Sequence, residues 1–200
     1  MTAANLPAQP SRPSHPSRLP LGQADWIAAA TEVLAREGVS GLRVEVLAKR
    51  CGVTKGSFYW HFKDRQALLA AVLQHWKQGR IRDIEKTTFF KPGEELERIN
   101  HLIELYGANP NRKGMEIELA IRDWARYDDK AAAVVEAVDL HRLECARKLF
   151  VAAGMSETEA KSRSLLLYAC AFGLSLMRYA PFDSNLPQLK QRLSERIVAV

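Results

Sequence analysis

Two short stretches with a helical spacing of apolar residues flank a glycine within residues 44–61, and this limits the chain more than any other part of it. Val44, Leu47 and Ala48 share one face of a helix expected over Val44–Cys51. Gly52-Val53 interrupts it, and Thr54 stands where it can cap a second short helix reaching His61. A small residue such as Ala48 lets two helices approach closely. A glycine four residues later permits the left-handed backbone of a tight turn. Leu47, Val53, Phe58 and Phe62 supply the surrounding core, with the two phenylalanines on the inner face. That leaves Lys55, Ser57, Tyr59, Trp60 and His61 facing outward or towards the rim. An exposed helix that opens on a cation and carries polar and aromatic groups can enter a DNA major groove, its N-terminal part on the base edges.

The rest of the chain is helical in period. Trp26, Ile27, Ala30, Val33 and Leu34 mark a helix over Gln23–Glu37, stopped by Gly38. Asp64 can cap a helix running to about Gln78, where Gly79 would end it; Leu68, Leu69, Val72, Leu73 and Trp76 form its apolar face. Further helices are expected over 94–107, 115–127, 130–153, 157–179 and 187–198, with Ser156 and Glu159 forming a capping box and Pro187 opening the last. No stretch alternates as a strand would, so the expected fold is all-α: an N-terminal three-helix helix-turn-helix module, 21–68, and a C-terminal helical domain, 69–200. Residues 1–20 hold five of the nine prolines and read as a disordered arm. Arg12, His15 and Arg18 could let it touch a minor groove, and a passive tail is the competing reading.

Charge agrees with this division. The net charge is +6, and residues 1–79 carry 10 Lys+Arg against 5 Asp+Glu, leaving 19 against 18 in the remainder. A segment that meets a polyanion shows such an excess, although a solvated face can carry it too. The three cysteines, Cys51, Cys145 and Cys170, are far apart and without a CxxC spacing, as for free thiols in a reducing cytoplasm. No apolar run approaches the ~20 residues of a membrane span, and the N-terminus lacks a secretory apolar core, so a soluble cytoplasmic protein is expected. Glu116, Glu118 and Asp123 lack a partnered histidine, a phosphate loop or a metal set and read as a solvated face, so no enzyme is expected. His141 and Cys145 stand four apart, but two ligands do not make a metal site; neither metal nor cofactor is expected.

The stretch 44–69 resembles the DNA-binding domain of the tetracycline-repressor (TetR) family, most specifically in the run Gly52-Val53-Thr54-Lys55-Gly56-Ser57-Phe58-Tyr59-Trp60-His61-Phe62 followed by Leu68. The resemblance implies that Thr54 and Tyr59 bind phosphates, that His61 approaches the DNA backbone, and that Arg65 pins the following helix to the next phosphate. Lys55, Gly56 and Ser57 would lie nearest the bases, where Gly56 permits close approach and Lys55 could donate to guanine acceptors. Trp60 joins them as an outward residue. Where the family commonly has Thr, this chain has Arg43, which can still reach a phosphate and would alter half-site choice.

Beyond residue 69 the resemblance weakens, but the runs 120–128, 138–143 and 165–168 look like the C-terminal domain of many TetR-type regulators. It implies a ligand-responsive repressor, a homodimer on palindromic double-stranded operator DNA, and a four-helix interface to which Leu140, Leu143, Leu166, Ala169 and Leu174 could contribute. For any one of these an internal core is the competing role. Candidate residues for a small-molecule effector are the aromatics left over once helix faces are assigned, Phe89, Phe90, Tyr106, Trp124, Tyr127 and Phe172, with Met177 and the polar anchor Arg122. Each could equally be ordinary core. A nucleoid-type protein that binds DNA without sequence preference is the other reading, and it leaves the large apolar C-terminal part unexplained beyond dimerisation.

Overall fold

The computed structural model describes residues 21–107, 112–177, 182 and 184–199. Residues 1–20, with Arg12, His15 and Arg18, lie outside the described residues. Every regular element among those described is helical: α1 (Gln23–Glu37), a single 3-10 turn (Val39–Gly41), α2 (Val44–Cys51), α3 (Lys55–Tyr59), α4 (Arg65–Thr88), α5 (Glu95–Gly107), α6 (Arg112–Ala125), α7 (Asp129–Ala152), α8 (Glu157–Leu176) and α9 (Leu186–Val198).

The turn between α2 and α3 has the anticipated chemistry. Gly52 sits at φ 69°, ψ 32°, in the left-handed region, and its N–H closes on the carbonyls of Ala48 and Lys49. Ala48 is buried against the neighbouring helices, and Trp26 meets Phe58 edge-on at 5.4 Å. Phe58 and Phe62 stack at 5.4 Å with an interplanar angle of 27°. The end of α1 is similarly compact. A Cβ added at Gly41 would come within 2.7 Å of Glu37 Cβ and 3.0 Å of Val33 Cγ1, so only glycine lets the 3-10 turn fold back on α1.

Two corrections concern helix lengths. α4 does not end near Gln78 but continues through Gly79 to Thr88. An interior glycine costs roughly 1 kcal/mol relative to alanine. Here that cost is offset by the burial of Ile84 and Thr88 and by the Arg80–Asp83 ion pair one turn beyond the glycine. α3 stops at Tyr59, two residues early, and the chain leaves the helix at Trp60 so that Phe62 can turn inward.

The apolar residues form two clusters. The first starts with Trp26, Leu47 and Phe58, passes through Leu68, Leu69, Val72, Leu73 and Trp76 of α4, and continues into Ile121 and Trp124 of α6 and Ala131 and Val138 of α7. The second gathers α5, the C-terminal half of α7, α8 and α9 around Ile99, Leu102, Leu149, Phe150, Leu167 and Ile197. α7 belongs to both and packs on α4, α5, α6 and α8, while α1 rests on α6. No helix among the described residues is long and apolar enough to cross a membrane.

Candidate nucleic-acid interface

The outer surface of the helix-turn-helix presents what remains once Phe58 and Phe62 have turned inward. Thr54, at the head of α3, is exposed, and its hydroxyl makes no capping hydrogen bond, so it is open to an outside acceptor. Lys55 is exposed and its Nζ donates to Glu45 Oε1 of α2 at 2.7 Å. The ammonium holds the Glu45 carboxyl below its ordinary pKa, chiefly through that hydrogen bond. A Cβ at Gly56 would meet only the Thr54 hydroxyl at 3.6 Å; nothing inside the chain demands glycine there, and its effect is to leave the outer surface low. Ser57 and His61 are half-buried, Tyr59 is exposed with its ring edge-on to Phe58 at 5.2 Å, and Trp60 is 88% exposed. An indole left this far in water is unusual for a chain with an ample core.

Arg43 is exposed at the head of α2, beside Glu45. Arg65 has a job that sequence reasoning did not foresee: its Nε donates to the Leu42 carbonyl at 2.5 Å and a terminal nitrogen to the Val39 carbonyl at 2.9 Å. It thus braces the start of α4 against the 3-10 turn. Glu32 of α1 accepts from Arg50 of α2 at 3.1 Å and from Lys113 of α6 at 3.2 Å, tying the module to the C-terminal half.

The expected effector residues do not surround one space. Phe89 and Tyr127 are 65% and 78% exposed, Met177 is also exposed, Trp124 is buried in the first core, and Phe90 packs against the second. The side chain of Tyr106 lies outside the described residues. Arg122 and Phe172 do meet, with the guanidinium 4.2 Å from the ring centroid, inside a charged cluster. There Glu118 corrects the expectation of a solvated face: Glu116 and Asp123 are exposed, but Glu118 is 1% exposed. It accepts from Arg122 at 2.8 Å and from Arg142 of α7 at 3.4 Å, while Asp139 takes Arg122 at 2.6 Å and Arg142 at 3.0 Å. Two cations and two anions balance, which is what lets them leave water. Burial by itself would lower the Arg122 pKa, but Asp139 and Glu118 outweigh it and raise it. The i, i+4 spacing of Glu118 and Arg122 was a legible hint; Asp139 and Arg142 needed the packing of α7. A cavity of about 840 Å³ lies elsewhere, between α5, α8 and α9, and among the described side chains none of the expected effector residues lines it.

Of the dimer candidates, Leu140, Leu166 and Ala169 are exposed, Leu143 packs against the second core, and Leu174 lines that cavity. Burial pushes the Cys51 and Cys145 thiols up, away from the thiolate a reactive cysteine needs.

Residues 27–72 match the model of bacterial regulatory proteins of the tetR family, over the module just described. Over these residues the chain is similar to the tetR family's DNA-binding part. Its relatives include the HTH-type transcriptional regulator YerO of Bacillus subtilis, 29% identical over 73 residues, which are 35% of this chain and 25% of YerO. The chain therefore matches about a quarter of the length of that relative. Among solved structures, a transcriptional regulator from Rhodococcus superposes with a TM-score of 0.69 at 19% identity, covering 89% of this chain and 94% of the other. A Saccharomonospora viridis regulator in complex with choline gives 0.68 at 15% identity, covering 88% and 95%. At these identities the likeness is one of fold alone, and it runs over α5 to α9 as well as the N-terminal module.

Proposed function

We propose that this chain is a cytoplasmic, sequence-specific DNA-binding regulator, a repressor rather than an enzyme, that binds a palindromic operator as a homodimer and leaves it when a small molecule occupies the C-terminal half. The observation that supports this reading best is the outer face of α2 and α3. Thr54, Lys55, Tyr59 and Trp60 stand exposed over a buried aromatic pair, in a part of the chain carrying most of the excess positive charge. On this reading Arg43, Thr54, Tyr59 and His61 hold phosphates, Lys55, Gly56 and Ser57 face base edges, and Trp60 lies against the sugar-phosphate rim. Arg65 serves the contact by fixing the angle of α4 beneath the turn. The domain division falls near residue 68, although the first core runs across it. Response to a small molecule draws support from the choline complex of the Saccharomonospora viridis regulator, a protein of the same fold.

One α3 reads too few base pairs to single out a genomic site, so two must act together. The exposed apolar residues Leu140, Leu166 and Ala169 on α7 and α8 supply a surface through which a second copy can pair. Selection from random duplexes followed by footprinting tests the reading. It requires a twofold sequence with half-sites about one helical turn, ~34 Å, apart. Equal affinity for all duplexes would support a nucleoid-type protein, and an asymmetric footprint at saturation would remove the dimer.

A further inference from the structure

We propose that the cavity between α5, α8 and α9 is a binding site for a molecule with a medium-length aliphatic chain and one polar head. The inference gives a place and a chemical class to the effector of the regulator reading; it rests on that reading for its biological role, not for binding itself.

The volume, about 840 Å³, falls within the roughly 300–1,000 Å³ of small-molecule sites. Its depth is apolar: the lining residues that are buried are Ile103 of α5, Leu167 and Ala171 of α8, and Ile197 of α9. Of the polar lining residues Lys190 and Ser194 are half-buried, and the rest sit outward. Asn100 and Glu104 on α5 and Gln191 and Glu195 on α9 are exposed, so they rim the mouth where the head of a ligand would stay in contact with water. Among the described side chains, none that lines the space is aromatic. A quaternary ammonium ion therefore finds no ring face, and a planar ring finds nothing to stack on. What this wall can recognise is flexible saturated hydrocarbon, through burial alone.

The cavity also survives the proposed dimer. On α8, Leu167, Cys170, Ala171 and Leu174 face it, whereas the exposed apolar residues Leu165, Leu166, Ala169 and Leu176 lie on a different face of the same helix. Pairing through the second face leaves the first available.

The test uses the full chain and the series hexanoate, octanoate and decanoate, with the matching alcohols. Calorimetry should show affinity rising roughly fourfold per added methylene, as burial of each CH₂ predicts. Benzoate and choline should bind far more weakly. Leu174→Phe, at a half-buried wall position, and Ala171→Phe, deeper, should each abolish the chain-length dependence; the first keeps the test alive if the second misfolds. Cys170 on the wall reports location: decanoate should slow its alkylation by iodoacetamide, read by peptide mass spectrometry, while Cys51 and Cys145, outside the cavity, are unaffected. A flat series, or one unchanged in Leu174→Phe, overturns the site. So does Cys170 protection that appears without ligand as protein concentration rises, since a second copy then fills the space. Operator binding is measured in parallel. A chain that binds DNA but shows no series fails only here, and one that shows the series but binds no DNA fails only as a regulator.

Discussion

Replacing Glu118 by leucine should cost the fold about 3 kcal/mol, and the figure follows from what the carboxylate leaves behind. Glu118 is 1% exposed and Arg142 is 3% exposed, so neither can turn to water when the other is lost. In Glu118→Leu, Arg142 loses its Glu118 contacts and must lean on Asp139 at 3.0 Å, a carboxylate already shared with Arg122 at 2.6 Å. Breaking a buried pair from one side typically costs ~3–5 kcal/mol. The lower end applies, because the Tyr168 and Phe172 rings at 5.5 Å and 5.1 Å still face the Arg142 guanidinium and retain part of its stabilisation. For a chain of this length ~3 kcal/mol corresponds to a fall in Tm of about 6–12 °C. Adding Arg142→Met removes the stranded cation, and Glu118→Leu/Arg142→Met should return to within ~1 kcal/mol of the parent. Urea unfolding followed by circular dichroism, at one fixed protein concentration, measures all three proteins. A single-variant loss under ~1 kcal/mol, or a double variant no better than the single one, would refute the argument that the quartet must be kept or removed together.

At the DNA face, Tyr59→Ala should lower affinity for every duplex, while Lys55→Ala should cost ~1–3 kcal/mol on the selected operator and relax choice at one position; parallel binding titrations separate the two. Glu45→Ala should tighten binding to all duplexes at low salt, because it releases the Lys55 ammonium and removes a carboxylate from a surface that meets phosphates. Arg65→Met strands the Leu42 carbonyl, leaves the Val39 carbonyl with the Leu42 N–H alone, and should cost about 1–3 kcal/mol in the same unfolding assay, with operator affinity falling as α4 loosens. Arg147 holds the Glu144 carboxyl at about 2, down from 4.5, chiefly by their hydrogen bond. A depressed carboxyl stabilises the fold above its unfolded pKa, and that contribution is lost as pH falls from about 4.5 towards about 2. In Arg147→Met the Glu144 resonance should titrate back in the ordinary carboxylate range.

What could be read from the sequence was local. The turn at Gly52 depends on a backbone conformation that glycine adopts and on a partner, Ala48, four residues away, so both appear in any window that holds the motif. Phe58, Phe62 and the apolar face of α4 follow from helical spacing. Gly79 misled, because a glycine that ends an isolated helix is tolerated inside one whose next turn is buried, and the burial of Ile84 comes from the packing of other helices. Glu118 misled for the same reason: a carboxylate between exposed neighbours looks solvated until Arg142, 24 residues on, is brought against it. The effector candidates are scattered rather than gathered around one space. Aromatics were sought as pocket walls, yet they are consumed by the cores or left on the surface, and the cavity is walled by aliphatic residues whose spacing marks them only as core.

The arrangement of the two cores sets what coupling between ligand and DNA must look like. α7 carries Val138 in the first core and Ala146, Leu149 and Phe150 in the second, so a shift of α5, α8 or α9 that fills the cavity reaches the first core through one helix of 24 residues. From there it reaches α1 through α6, by the contact between those helices and by Lys113 on Glu32, and reaches the 3-10 turn ahead of α2 through α4 and Arg65. Both routes end on elements that set the angle of the recognition helix. A hundredfold loss of operator affinity requires about 2.7 kcal/mol of coupling, and operator DNA must then weaken ligand binding by the same hundredfold. Lys113→Ala removes the ion pair from one of the two routes, its α1–α6 packing remaining, while leaving the cavity and the DNA face unaltered. It should reduce the coupling factor measured by calorimetry with and without operator, and change neither binding constant of the separate ligands by more than about threefold. An unchanged factor would remove the Lys113–Glu32 pair from the transmission and leave it to α4 and the α1–α6 packing.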